Sequence, residues 1–436
     1  MTSLIHPNSC ECAKSELDLF HVNPTQTSVE NGKWVEYKPM TSITDGGPIE
    51  FLVGGATENY LDLLNTFIHI RAQIVNQDGT LLAADADVAP INYLLNTMWS
   101  QVDLSRNGKL ITTSTNTYPY RSYLETLLSY GPAAKDTQLA AGPWVGDTAG
   151  HMDSRADENT GFQRRKQISE RSRICDMMGK LHLDMFFQNR YLINGVDMKL
   201  KLTRSKDSFA LIAPDNSNFK IKIQDATLIV RQVKLSPAVM YAHIKAISKG
   251  LCKYPIRRCE LKTYSIAAGN LTFSQENLTL GRLPKRVVVV VVVDNDAYNG
   301  RYSKNPFHFQ NYNINFLSLN VGGEPVQGKP FEPNFERGQT VRGYLSLFTE
   351  TGQFFRDEGN NIIKHDYENG YTLFCFDLSP SLSSGNTHFD LIKQGNLRIE
   401  VHFAQALPRT ISLLLFLEYE NIIEISKTRN VFIDYA

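Results

Sequence analysis

The feature that most constrains the fold is a hydrophobic pattern that occurs twice along the chain. Residues 192–202 (LINGVDMKLKL) align without a gap with residues 391–401 (LIKQGNLRIEV). A second strand-like segment follows each copy and ends near residue 236 or residue 426. Because several elements recur in the same order, we interpret the chain as two similar units in tandem, each of roughly 190 residues.

Apolar and polar residues also alternate elsewhere, for example in residues 67–74 and 219–223. A period of two predicts strands with one face on a core and the other in solvent. The seven valines of residues 287–293 predict a strand that is buried on both faces, because β-branched side chains disfavour helix. The prevailing pattern is that of an all-β protein.

Only two segments have convincing helical spacing, residues 119–130 and 236–249. The second begins with Ser236 as N-cap and Pro237 at the first helical position, and Gly250 follows its end. It lies between the two repeats, which predicts a linker helix. We interpret His243, on its apolar side, as a packed residue rather than a ligand.

The predicted organisation has four parts: an N-terminal arm (1–33), a first jelly roll (34–236), a linker helix (237–250) and a second jelly roll (251–436). Strands at irregular spacing with long loops fit jelly rolls better than propellers. We therefore predict an all-β fold, a double jelly roll of two tandem eight-stranded β-sandwiches with few short helices.

Composition excludes several classes of protein. The 436 residues are 42% hydrophobic and 21% charged, as in globular proteins with a sizeable core. The 45 basic and 45 acidic residues give no net charge, which argues against a dedicated nucleic-acid binder. No apolar run approaches the roughly 20 residues of a membrane-spanning helix, and the N-terminus lacks the pattern of a signal peptide. These features predict no membrane span and no secretion.

The sequence offers little chemistry for catalysis. Six scattered cysteines predict free thiols in a reducing compartment, and Cys10 and Cys12 lack the partners of a zinc knuckle. Motifs for nucleophilic, zinc-dependent or phosphate-binding catalysis do not occur. We therefore predict no catalytic residue, cofactor or metal site, and no enzyme activity.

Three polar clusters have alternative interpretations. His151 near Asp153, and His365 next to Asp366, are candidates for acid–base or metal chemistry, but their polar sequence favours solvated surface. Basic residues within 164–173 are interleaved with acids, which favours a solvated or subunit-contacting loop over a nucleic-acid site.

Several long segments carry a resemblance to a known family. They are DLFHVNPTQTSVENGKWVEYKP (18–39), DGGPIEF (45–51), YLDLLNT (60–66), SQVDLSRNGKL (100–110), NTYPYRSYLETLLSYG (116–131) and DTAGHMD (147–153). Together they resemble the major capsid protein of Polinton/Maverick elements, which are eukaryotic DNA transposons with a viral gene set, and of the related adintoviruses. Beyond residue 153 the resemblance rests on matching length and order of elements.

This resemblance implies a double jelly-roll capsid protein whose homotrimers form pseudo-hexameric capsomers of an icosahedral virus-like shell around double-stranded DNA. It implies as partners other copies of the chain, a minor or penton single jelly-roll capsid protein and, non-specifically, packaged DNA on the inner surface. The expected location is the virion capsid, after synthesis in the host cytoplasm and assembly in the nucleus. The prediction of two jelly rolls per chain agrees with a pseudo-hexameric capsomer, since a trimer then has six similar units around its axis.

Aromatic residues are enriched at large obligate interfaces. The candidates for subunit contact are Trp144, Phe307, Phe309, Tyr312, Phe331 and Phe335. The alternative that they fill the core of their own domain stays open. The arm is expected to become ordered only by contacts on assembly.

Two other functions remain as alternatives. A jelly-roll carbohydrate-active enzyme needs acids and aromatics clustered in one cleft, and the sequence gives no sign of such clustering. A lectin-like binding protein is usually secreted and disulfide-bonded, which the N-terminus argues against.

Overall fold

The alternating segments form two β-sandwiches in the computed structural model of the chain. The structure describes residues 6–433 except 7, 11, 45, 56, 57, 280, 358, 381 and 383–387, and for residues 287–291 it describes the backbone only. The first sandwich contains β1 Val29–Tyr37, β2 Ile49–Val53, β3 Tyr60–Asn76, β4 Ala89–Pro90, β5 Trp99–Arg106, β6 Lys109–Leu110, β7 Cys175–Gly179, β8 Met198–Arg204, β9 Leu211–Ile212 and β10 Phe219–Leu235. The second contains β11 Cys252–Ile266, β12 Thr272–Gln275, β13 Arg286–Asp294, β14 Ile314–Val321, β15 Glu324–Pro325, β16 Leu373–Asp377, β17 Leu397–Phe403, β18 Ile411–Ile425 and β19 Val431–Ile433.

Helices lie in the connections between strands. The α-helices are α1 Leu94–Thr97, α2 Tyr118–Ser129, α3 Pro132–Asp136, α4 Thr160–Ser169, α5 Asp207–Ala210, α6 Pro237–Ile247, α7 Asn295–Asn299, α8 Val341–Thr349 and α9 Lys364–Glu368. Short 3₁₀ turns span Ser15–Leu17, Gln138–Ala141, Glu170–Ser172 and Asp184–Phe187.

The two sandwiches share one strand order. The first has sheets β1-β10-β3-β7 and β2-β8-β5-β6, and the second has β11-β18-β13-β16 and β12-β17-β14-β15, with β19 added beside β18. Each strand in the first set has a counterpart in the second: β1 corresponds to β11, β8 to β17 and β10 to β18. This is the two-sheet, eight-stranded arrangement of a jelly roll, and the predicted fold class is confirmed.

The repeated pattern occupies equivalent strands because it encodes the same burial. In β8, Met198, Leu200 and Leu202 are buried and Lys199 is exposed, and β17 alternates in the same way. The valine run forms β13, where Val292 and Val293 are fully buried. Burial on both faces was also predicted for residues 287–291, but their side chains lie outside the part of the chain that the structure describes.

The two predicted helices are confirmed as α2 and α6, and the predicted apolar side of α6 is covered in part. Ile247 is buried, Val239 and Met240 are partly buried against the core of the first roll, and Ile244 is exposed. His243 is exposed as well, and its Nδ1 lies 3.0 Å from the Tyr60 hydroxyl. The sequence spacing defines an apolar face correctly, but it does not show whether another element covers that face.

The structure differs from the sequence interpretation at the arm and in the long loops. Strand β1 begins at Val29, inside the segment predicted as the arm, because this polar stretch pairs with β10. The connection between α2 and β7 contains α3 and α4, and neither α4 nor α8 had a clear sequence signal. These helices are short, and packing on neighbouring elements stabilises such helices more than local spacing does.

Candidate assembly surfaces

Besides the main apolar core of each jelly roll, a third apolar core joins the two rolls. The ring of Tyr123 on α2 stacks on Phe307 of the second roll, with centroids 4.0 Å apart and planes 2° from parallel. Trp144 stacks on Tyr123 with ring centroids 5.1 Å apart, and Phe309 meets Tyr123 edge-on at 5.9 Å. Aromatic pairs of this kind add to the free energy of burial, so the rolls are held as one unit.

The predicted subunit-contact residues lie mostly in the chain's own cores. Trp144, Phe307 and Phe309 are buried between the two rolls, and Phe331 is buried in the core of the second roll. Tyr312 and Phe335 are partly buried beside these cores. The alternative that the sequence left open, filling of the core of the residue's own domain, describes Phe331, whereas Trp144, Phe307 and Phe309 lie in the core between the two rolls. A role in contacts between copies remains a prediction for all six.

A buried polar network reinforces the same junction. The Asp147 carboxylate accepts hydrogen bonds from Arg165 at 2.5 Å and from Asn159 at 2.9 Å. Its other oxygen accepts from Asn305 of the second roll at 2.8 Å. Arg165 is fully buried, and it also donates to the backbone carbonyls of Pro90 and Val145. Arg165 is therefore structural, which corrects the interpretation of the basic segment at this residue, whereas Arg164, Arg171 and Arg173 are exposed.

A second charged cluster includes two residues of α2, Arg121 and Glu125. Arg121 donates to Glu125 at 3.0 Å and to Asp184 at 2.6 Å, and His182 lies 2.6 Å from Glu125. Burial raises the pKa of Glu125, but Arg121 and His182 outweigh it and lower that pKa to about 2. Burial raises the pKa of Asp184. Charged groups in a buried junction of this kind are stable only when each is paired with an opposite charge.

The first roll covers the open edge of β11. Arg190 donates to the backbone carbonyl of Lys253 at 2.6 Å, and the backbone N–H of Ile193 donates to the Tyr254 hydroxyl at 3.0 Å. Further along, Asp184 accepts from the backbone N–H of Cys259 at 3.4 Å. An uncovered edge strand presents unpaired backbone groups that favour association, and the side chains of Arg190 and Asp184 bind two backbone groups of β11.

Several apolar side chains remain exposed. In the arm, residues 12–28 are exposed throughout, including Phe20 and Val22 at 93% each. On the second roll, Leu391 and Ile392 are 88% and 63% exposed. Contiguous exposed apolar surface commonly marks a protein–protein contact.

An apolar groove of about 600 Å³ lies beneath α6. Its lining includes Val29, Tyr60, Leu235, Val239 and Tyr254. None of the described residues that line it is acidic. The groove therefore lacks the clustered acids that a carbohydrate-active enzyme would need.

The two histidine candidates lie on the surface. His151 is about half exposed and lies 3.2 Å from the exposed Glu158, and His365 is exposed beside Asp366. In the described part of the chain, no three His, Cys, Asp or Glu side chains come together as metal ligands would. Nor does any described helix have the length and apolar character needed to cross a membrane.

Comparison with solved structures identifies the architecture along the whole chain. A chain of the Sputnik virophage matches with a TM-score of 0.65 and 13% identity, over 99% of this chain and 94% of that one. The fold is a double jelly roll. The mavirus major capsid protein matches this double jelly roll with a TM-score of 0.55 and 12% identity, over 100% and 95%. The capsid of PBCV-1 matches with a TM-score of 0.62 and 9% identity, over 96% and 99%.

Sequence comparison adds one relative. The chain is 26% identical over 424 residues to an uncharacterized protein of Caenorhabditis elegans, and the match covers 94% of this chain and 99% of that protein. No protein-family model matches the chain.

Proposed function

We propose that this chain is a major capsid protein of the Polinton/Maverick and adintovirus lineage. The observation that carries the proposal is the match of its double jelly roll to viral capsid structures over nearly its whole length. The motifs within residues 18–153 support the lineage, since they resemble this family specifically.

In this role, three copies form a pseudo-hexameric capsomer, and capsomers tile an icosahedral shell around double-stranded DNA. The firm junction between the rolls supports this, because each chain must act as one rigid double unit in such a ring. A single jelly-roll protein occupies the vertices, and the inner surface contacts DNA without sequence specificity. The role is structural rather than catalytic, and the protein resides in the virion capsid after assembly in the nucleus.

The division into functional parts is also proposed. Each chain contributes two jelly rolls to the wall of the capsomer, residues 34–236 and residues 251–436. Residues 237–250 link them. Of the predicted arm, residues 1–33, the part that precedes β1 acts between copies, which its exposed apolar side chains support.

The test is to purify the full chain and measure its mass by light scattering, followed by electron microscopy across a range of salt concentrations. A trimer of the 49.3 kDa chain, with hexagonal outlines and closed or sheet-like assemblies, is expected. A stable monomer at micromolar concentration that forms no assembly under any condition, with or without a co-expressed vertex protein, would refute the capsid role.

A further inference from the structure

The N-terminal arm contains an apolar segment that its own chain leaves uncovered. Residues 12–28 are all exposed, and so are the large apolar side chains among them: Leu17 (69%), Leu19 (76%), Phe20 (93%) and Val22 (93%). Glu16 and Asp18 lie in the same stretch, and residues 16–22, here called the arm segment, contain no lysine or arginine. Exposed apolar side chains combined with acids are typical of a segment that binds an apolar, basic surface.

The groove beneath α6 has the apolar character that the arm segment requires. Its volume of about 600 Å³ lies within the roughly 300–1,000 Å³ of pockets that enclose a drug-sized ligand. Val239 and Ile247 line it from α6, and Val29 and Leu235 line it from the ends of β1 and β10. Such a groove can bury side chains the size of leucine and phenylalanine.

The charged residues of the groove are basic. Arg190 and Lys253 line it, and none of the described lining residues is acidic. The Arg190 guanidinium binds a neutral group, the backbone carbonyl of Lys253, and the Lys253 ammonium lies 3.9 Å from Glu424. Both cationic side chains are exposed, so an acidic ligand can reach them. The groove is therefore complementary to the arm segment in charge as well as in apolar surface.

We propose that the arm segment of one copy docks in the groove beneath α6 of a second copy. The side chains around Phe20 enter the apolar part of the groove, and Glu16 and Asp18 lie towards Arg190 and Lys253. Burial of both apolar surfaces removes them from water, and the opposite charges fix the orientation of the segment. This inference rests on the proposed function and deepens it, since it names the surface that the arm binds.

A second copy suits the arm segment better than the chain's own groove does. Ser28 and Val29 line the groove, so the arm leaves its own chain at the groove itself. To return Phe20 to that groove, the backbone would have to reverse direction within residues 23–28. When extended, those residues span about 20 Å, which carries the segment towards a neighbouring copy. Each copy then gives one arm and receives another, a head-to-tail contact that forms a ring if the rotation closes.

The first test measures binding of a fluorescein-labelled peptide of residues 14–26 to the full chain carrying Phe20→Asp and Val22→Asp, whose own arm cannot compete. We expect a saturable rise in anisotropy. Ala246→Trp, which fills the groove from α6, should weaken binding at least tenfold. The matched control is Ala242→Trp, at an exposed position of the same helix outside the groove lining, and it should bind the peptide unchanged. Equal binding to both tryptophan variants would overturn the assignment.

The peptide itself tests the role of charge. A peptide with Glu16→Gln and Asp18→Asn should bind severalfold more weakly at low salt, and the difference should shrink at high salt because exposed charges are screened. A deficit that is independent of salt, or no deficit at all, would contradict the assigned orientation. A groove that binds no peptide and holds a co-purified amphiphile in native mass spectrometry would overturn the proposal.

Light scattering on full chains gives the second test. The chain with Phe20→Asp and Val22→Asp keeps its groove, and the chain with Ala246→Trp keeps its arm. Each alone should associate at least tenfold more weakly than the wild type, whereas an equimolar mixture should form a complex of two chains. Leu81→Asp, at a 65% exposed leucine elsewhere, should associate like the wild type. A mixture that stays monomeric, although circular dichroism and melting temperature show both variants folded, would overturn the proposal.

Cross-linking distinguishes a second copy from the chain's own arm. Cys252 lines the groove and is partly exposed, so it can react with a thiol placed on the arm by Val22→Cys in a chain that also carries Cys10→Ser and Cys12→Ser. A bismaleimide reagent should give a product of twice the chain mass, and Cys252→Ser should abolish it. A link formed within one chain, or none, would overturn the assignment to a second copy.

The inference and the proposed function fail in different ways. Wild-type complexes that carry this cross-link but never build capsomers would refute the capsid role alone. Shells that form at wild-type yield from the chain with Phe20→Asp and Val22→Asp would refute the docking of the arm alone.

Discussion

Removal of the Asp147 carboxylate should destabilise the chain strongly because it leaves a buried cation without its counter-charge. In Asp147→Ala, Arg165 stays fully buried and loses its 2.5 Å partner, while Asn159 and Asn305 lose their acceptor. Breaking a buried ion pair from one side costs on the order of 3–5 kcal/mol of unfolding free energy. With an unfolding entropy of about 2.1 cal/mol/K per residue, this lowers Tm by about 3–5 °C if both rolls unfold together.

The assay is calorimetry of the wild type, Asp147→Ala and two controls. Asp147→Leu with Arg165→Met removes both charges and should recover part of the loss, since no unpaired cation remains. Asp215→Ala breaks an exposed pair with Arg301 and should leave Tm nearly unchanged because solvent already screens those charges. An Asp147→Ala protein that melts within about one degree of the wild type would refute the view that this network holds the rolls together.

Three further predictions concern the arm, the charged cluster and the aromatic junction. Deleting residues 1–16 should leave the folded trimer intact but lower particle yield, whereas deletion of residues 1–39 should also lower Tm; wild-type yield from the short deletion would contradict this. Glu125 has a folded pKa of about 2 against an ordinary value of 4.5, so it stabilises the fold above about pH 4.5, and this contribution is lost as the pH falls towards 2. The Tm difference between wild type and Glu125→Gln should therefore narrow from pH 7 to pH 3, and a constant difference would count against the pairing with Arg121. Phe307→Ala should cost about 3–5 kcal/mol in urea unfolding, and a loss below about 1 kcal/mol would mean that the junction repacks.

The candidate surfaces could be predicted only in part from the sequence. The aromatic residues of the loops predicted contacts between subunits, and the structure buries four of the six candidates within the chain. Whether an aromatic residue fills a core or faces a partner depends on what lies across from it. For Phe307 that partner is Tyr123, which is far away along the chain.

The exposed segment around Leu391 did have a sequence signal. It belongs to the second copy of the repeat, which aligns without a gap with the Leu192 segment. The sequence therefore predicts that the two segments play equivalent roles. It does not reveal that Leu192 is buried and Leu391 exposed, because burial depends on the elements that pack against each segment.

The sequence by itself determined the strands, the two similar units and the linker helix between them. These follow from local causes: the period of burial in a strand, the stiffness of β-branched side chains, and Pro237 in the first turn of α6. Only the tertiary structure decided that Arg165 is buried on Asp147, that Ile244 of α6 is exposed, and that the first roll contacts β11. The physical reason is that periodicity specifies which face of an element is apolar, whereas the group that covers that face comes from residues distant in the chain.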